Sequence, residues 1–180
     1  MQRRRLLLAT AAAAALAAAG CAGPVPQDYA AEKPVLDLKT YFNGELVAHG
    51  IFTDRSGKVA RRFTVQMTGT WNGNQGTLDE RFTYSDGKTE RRVWRLTDNG
   101  GGAYTGRADD VVGEAAGSAA GNALNWRYTL RVAMDERTID LDFDDWMLLI
   151  DDRVMLNKAV MSKFGVRVGE VLLSFTREGA

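Results

Sequence analysis

The sequence predicts an all-β domain, an antiparallel meander of about nine strands that closes into a barrel or a strongly curved sheet. Three observations carry that reading. From residue 36 onward apolar and polar residues alternate, with β-branched and aromatic side chains prominent. Turn chemistry interrupts the alternation roughly every 8 to 16 residues. All three prolines, Pro24, Pro26 and Pro34, precede this region, so none bars a central strand.

The 180 residues open with Arg3-Arg4-Arg5 and a nearly unbroken apolar run from Leu6 to Ala19. A basic start, a short apolar segment and small residues before a cut form the layout of a secretory signal, here residues 1–20. The run is too short to span a bilayer. Leu16-Ala17-Ala18-Ala19-Gly20-Cys21 resembles the bacterial lipobox, with Ala18 in place of the commoner leucine, which implies a lipid anchor on Cys21. Cys21 is the single cysteine. Once acylated it leaves no thiol for a disulfide, a metal or catalysis, although an oxidising compartment would permit disulfides. Arg3-Arg4-Arg5-Leu6-Leu7 fits both a plain basic start and a twin-arginine signal, and leaves the export route open.

Removal of residues 1–20 takes three arginines from 23 basic residues, leaving 20 against 23 acidic ones. That mild negative balance argues against a nucleic-acid partner, which calls for a basic face. The remaining 160 residues suit one domain with one core. Residues 22–34 are poor in large apolar side chains and read as a flexible tether, with the single barrel domain over 35–180.

Turn candidates are Phe42-Asn43-Gly44, Asp54 to Gly57, Asn72-Gly73-Asn74, Asp86-Gly87, Asp98 to Gly102, Asp135-Glu136 and Asp151-Asp152. The one stretch with helical character is a short piece from Asn157 to Lys163. Between Asn125 and Met134, Trp126, Tyr128, Leu130 and Val132 share one side, with Arg127, Thr129 and Arg131 on the other. From Arg137 to Ile150, Ile139, Leu141 and Phe143 oppose Asp140, Asp142 and Asp144. Folding these segments about Asp135-Glu136 pairs Leu130 with Leu141 and Tyr128 with Phe143 inside, and Arg131 with Asp140 and Arg127 with Asp144 outside. Both faces select the same register, because a one-residue slip inverts every side chain. The acidic row therefore reads as half of a charge ladder.

Asp145 breaks the pattern. Its parity points inward, opposite Trp126. Folding the next hairpin about Asp151-Asp152 places Leu149 against Val154, Met147 against Leu156 and Asp145 against Lys158, predicting a buried ion pair, since either charge alone would be costly. Glu80 likewise shares a face with Leu78, Phe82 and Tyr84, and Arg92 with Trp94 and Leu96. A three-residue loop at Asp86-Gly87 makes Glu80 and Arg92 diagonal neighbours. Gly113, Gly117 and Gly121, spaced by four, are read as one side of a strand that needs close approach or a bend.

Phe42-Asn43-Gly44 with Ala48-His49-Gly50, Gly76-Thr77-Leu78-Asp79-Glu80, Arg92-Val93-Trp94, Gly121 to Tyr128, Phe143-Asp144-Asp145-Trp146 and Met161 to Gly165 closely resemble the bacterial lipoprotein family catalogued as domain of unknown function three-eight-three-three. The resemblance spans nearly the whole chain after the signal. It implies a lipocalin-like barrel tethered to the cell envelope, with no activity to transfer. Gly69-Thr70-Trp71 matches the Gly-x-Trp of lipocalins, but it closes a later strand instead of opening the first.

For function, the inward set of Glu80, Arg92, Trp94, Trp126, Tyr128, Phe143, Asp145 and Lys158 combines aromatic walls with a few polar groups, as ligand pockets do. One reading is a membrane-anchored carrier of a lipid or other small apolar molecule. The other is an envelope structural or interaction protein with a filled barrel, in which Asp145 and Lys158 form a satisfied core pair. Trp146, Leu148 and Ile150, beside Met155, form an outward apolar stripe for a partner, the membrane or a covering helix at 157–163. An enzyme is not expected: His49 is the only histidine, a multi-histidine metal site is excluded, and only a carboxylate mechanism through Asp145 and Glu80 is conceivable. No cofactor is indicated. Ala22, where an aspartate would signal inner-membrane retention, points to the periplasmic face of the outer membrane.

Overall fold

A computed structural model describes residues 23–134 and 137–179. The expected signal segment, Cys21 and the expected turn at Asp135-Glu136 lie outside the described residues. The fold is a closed antiparallel barrel of ten strands, each paired with its chain neighbours. They are β1 (Gly44–Asp54), β2 (Val59–Asn72), β3 (Gln75–Tyr84), β4 (Thr89–Gly100), β5 (Ala103–Arg107), β6 (Val111–Ala120), β7 (Ala123–Met134), β8 (Arg137–Leu149), β9 (Val154–Lys163) and β10 (Val166–Arg177). Closure comes from β1 and β10, where Ala48 faces Phe175 and Phe52 faces Val171. A closed ladder leaves no unpaired strand edge.

The β7–β8 register is the expected one, with Trp126 opposite Asp145, Tyr128 opposite Phe143 and Leu130 opposite Leu141. Outside, Arg131 pairs with Asp140 at 3.1 Å and Arg127 with Asp144 at 3.5 Å. Thr129 Oγ1 donates to Asp142 at 2.8 Å. The acidic row is thus one rail of a cross-strand ladder.

The next hairpin is shifted by one residue. Leu149 faces Met155, Met147 faces Asn157 and Asp145 faces Ala159. The cause is local: Asp151 Oδ1 accepts from the backbone N–H groups of Arg153 and Val154, so the turn takes up one residue more than a tight Asp-Asp turn would. The slip exchanges the faces of β9. Met155 is fully buried instead of lying on the outer stripe, and Leu156 is exposed. Lys158 points outward toward Glu170 at 3.5 Å. The expected Asp145–Lys158 pair does not exist.

The helical piece expected over Asn157 to Lys163 is also corrected. Those residues belong to β9, hydrogen-bonded on both sides to β8 and β10. The one α-helix among the described residues is α1 (Leu38–Tyr41), whose N-cap Asp37 accepts from the Thr40 N–H at 2.9 Å. It plugs one end of the barrel with Leu38, Tyr41 and Phe42, all buried. The Tyr41 hydroxyl donates to Arg153 O at 3.0 Å, and Trp71 Nε1 donates to Phe42 O at 3.2 Å. Gly69 lies against that same carbonyl, where any side chain would collide. Gly69-Thr70-Trp71 therefore holds the plug.

From residue 23 the chain expected as a flexible tether lies along the barrel wall. Pro26–Tyr29 form a 3₁₀ turn, the Tyr29 ring packs 5.9 Å from Trp146, and Leu36 N–H donates to Gly121 O at 2.8 Å. Gly113, Gly117 and Gly121 do not share one side of a strand. Gly113 (φ 75°) sits in a bulge between Val112 and Ala116. Gly121 (φ 54°) occupies the turn after β6, pressed on Tyr29 O. Only Gly117 behaves as expected, clearing space for the Trp126 ring.

Candidate functional site

The end of the barrel away from α1 opens into a cavity of about 760 Å³. Its walls come from alternate residues along each strand, as a barrel interior requires. Seven of the eight residues expected to face inward do so: Glu80, Arg92, Trp94, Trp126, Tyr128, Phe143 and Asp145 all line it, and Lys158 does not.

The aromatic wall is continuous. Tyr128 and Phe143 stack with ring centroids 4.9 Å apart, Trp94 meets Tyr128 edge-on at 5.4 Å, and Trp94 meets Trp126 at 5.9 Å and 74°. Such offset and T-shaped arrangements suit ring quadrupoles. Trp126 fits because Gly106 and Gly117, on either side of it, carry no Cβ. Phe63, Phe82 and Tyr84 extend the lining toward the mouth, where Arg61 stacks over Tyr84 at 3.6 Å and pairs with Asp86 at 2.8 Å.

Two polar clusters interrupt this surface. Glu80 and Arg92 stand directly opposite on β3 and β4, closer than the diagonal placement expected. Arg92 Nη1 lies 3.6 Å from Glu80 Oε2, an ion-pair distance too long for a hydrogen bond. Arg92 also grips Asp110, with Nη2 to Oδ2 at 2.9 Å and Nε to Oδ1 at 3.1 Å. Burial would lower the Arg92 pKa, but Glu80 and Asp110 outweigh it and hold the guanidinium firmly charged. Burial pushes Glu80 up to about 7 against the attraction of Arg92 and a hydrogen bond from the Trp94 side chain, with Asp110 and Asp145 adding repulsion. Its Oε2 is buried without a hydrogen-bond partner among the described residues.

The second cluster is built on Asp145, which burial likewise pushes up to about 7. Its opposing influences are the Asn157 amide, which donates to Oδ1, and the Tyr128 hydroxyl. Burial raises Tyr128 far above the usual phenol range, with Asp145 adding to the effect.

Asn157 and Asp110 are the site residues the sequence reading misses. The one-residue slip is what brings Asn157 to the inner face, opposite Met147. Asp110 lies in the turn between β5 and β6, which contains neither glycine nor proline. His49, the lone histidine, is exposed on the outer face of β1 between Ser174 and Thr64. No group of three or more metal-ligating side chains occurs among the described residues.

A ten-strand antiparallel barrel with a plugged end and an aromatic-walled cavity defines the lipocalin-like class. The chain belongs to the family described as "Protein of unknown function (DUF3833)", whose model matches residues 15–177. No curated protein sequence matches it significantly. Among solved structures it is similar to an S-type phycobiliprotein lyase from Guillardia theta, at 5% identity and TM-score 0.60, covering 81% of this chain and 94% of that one. A protein of unknown function from Nostoc punctiforme, of the DUF3598 family, matches at 15% identity and TM-score 0.49 over 87% of this chain and 53% of that one. The first likeness confirms the fold, which is compatible with holding a small molecule.

Proposed function

We propose that the protein is a membrane-anchored lipoprotein whose barrel carries a small, largely apolar molecule in the cell envelope, and that it is a binding protein, not an enzyme. The observation that carries this reading is the cavity itself. Its volume of about 760 Å³ falls within the range of small-molecule sites, roughly 300–1,000 Å³. A filled structural barrel would have closed that space with side chains. The mix of continuous aromatic wall and few polar groups suits an elongated guest with one polar end. His49 faces away from the cavity, which favours binding over catalysis.

Anchoring rests on the lipobox and Cys21. Pro24 and Tyr29 border an outer groove lined by Trp146, Leu148, Leu156 and Leu172. An apolar strip that starts three residues beyond Cys21 is suited to lie against lipid. Ala22 favours the outer membrane.

Native mass spectrometry of protein extracted gently from its own membranes tests the carrier reading. A reproducible extra mass released by denaturation is expected. A consistently empty barrel with no affinity for lipids or long-chain amphiphiles would overturn it.

A further inference from the structure

The polar part of the cavity is unbalanced in charge. Arg92 is its buried cation, gripped by Asp110, while the carboxyl groups of Glu80 and Asp145, which burial holds at about 7, each add part of a negative charge at neutral pH, with the Tyr128 hydroxyl beside Asp145. Arg61, beside Tyr84, pairs with Asp86 through Nη2, and its buried Nε has no hydrogen-bond partner among the described residues. Arg92 is itself committed to Asp110 through two donor nitrogens. Asp145 has its partner in Asn157. Glu80 is only half served: Trp94 donates to the carboxyl, but the residue is nine-tenths buried, lines the cavity, and offers Oε2 with no hydrogen bond. A buried acceptor left open costs free energy unless something donates to it.

We propose that the guest is an amphiphile whose head donates hydrogen bonds and carries no negative charge, bound through Glu80 with its chain along Leu78, Trp94, Trp126 and Leu130. This deepens the carrier reading and rests on it. A carboxylate or phosphate head at Glu80 would add repulsion beside two buried carboxyl groups, where the Arg92 guanidinium is already engaged by Asp110. An ammonium or hydroxyl head supplies the donor that Glu80 Oε2 lacks, and an ammonium also favours the ionised form of the carboxyl. The repulsion that Asp110 and Asp145 exert on Glu80 is relieved by a cation and increased by an anion. The site therefore selects against fatty acids, although its apolar wall would accept their chains.

The test compares dodecylamine, dodecanol and dodecanoate at neutral pH, below micelle formation, by calorimetry and by the fluorescence of the cavity tryptophans. Dodecylamine should bind at least about tenfold more tightly than dodecanoate, with dodecanol between them. Glu80→Gln should abolish most of that preference, and Lys158→Ala, on the outer surface, should keep it. Dodecanoate binding as tightly as dodecylamine, or a preference unchanged in folded Glu80→Gln, overturns the inference and leaves the carrier reading standing. Binding of none of the three removes the carrier reading, and the inference falls with it. If Glu80→Gln does not fold, the wild-type ratio decides alone.

Discussion

Asp145 accepts a hydrogen bond from the Asn157 amide across the β8–β9 ladder, inside the barrel. The two residues are 6% and 5% exposed, so solvent replaces a lost partner of either one poorly. Asn157→Leu should therefore destabilise the domain by about 2 kcal/mol, by leaving a buried carboxyl short of a donor. Lys158→Ala, one residue on and facing solvent, should stay within about 0.5 kcal/mol of wild type. Urea denaturation of both variants checks the assignment, and a larger loss for Lys158→Ala would reverse the β9 faces.

Stability should rise on mild acidification. Burial holds Glu80 and Asp145 at about 7 in the fold, against roughly 4 in an unfolded chain. A raised carboxyl contributes stability that is fully present below its unfolded pKa and lost as pH climbs through the folded value. Between pH 5 and pH 8 the two together should remove a few kcal/mol. Asp79, Asp86 and Asp98 act oppositely. Hydrogen bonds from Arg91, Arg61 and Lys39 hold them low, so their contribution is lost only as pH falls below about 4. Denaturation midpoints across pH should peak near about pH 5, and Glu80→Gln should flatten the alkaline limb. A midpoint that climbs steadily to pH 8 would contradict the burial of both groups.

Arg92→Met strands Glu80 and loosens Asp110, and should cost about 3 kcal/mol. Adding Glu80→Met should recover much of the loss, because an apolar pair of similar volume needs no solvation. A double-mutant cycle measures the coupling, and strict additivity would mean that the pair does not interact.

Gly117→Ala should force the Trp126 ring into the cavity, costing about 1–3 kcal/mol and reducing amphiphile binding in parallel. Gly121→Ala meets the Tyr29 carbonyl at a positive φ, and should loosen residues 23–37 from the wall while sparing the cavity. Hydrogen exchange and ligand titration on the two variants separate the effects.

Cys21→Ser should abolish metabolic palmitate labelling and release the protein from the membrane fraction. Sucrose-gradient fractionation of the labelled wild type then assigns it to one membrane. Retention of label in the variant would reject Cys21 as the attachment point.

Legibility in the sequence followed how many constraints met on one residue. β7 and β8 were readable because the inner rows and the outer Arg–Asp rails demand the same register. β9 was not, because Met155 and Leu156 are both apolar and either can face inward. The Asp151 side chain decides between them by widening the turn, and nothing in the alternation records that. Ala159, Met161 and Lys163 favour helix locally, and pairing on both flanks overrides that preference. Glu80, Arg92 and Asp145 announced themselves as charges of apolar parity. Asp110, in a turn without glycine or proline, carried no such mark.

The ladder between β1 and β10 joins Leu46 to Arg177, near opposite ends of the described chain. That pairing cannot form until the last strand is available, so closing the barrel spans nearly the whole described domain, a long-range contact of the kind that slows folding. Until then β1 offers an open template to other chains. A partly emerged chain would be sticky, and handling by a holdase or rapid release of the whole polypeptide would matter more here than intrinsic strand propensity.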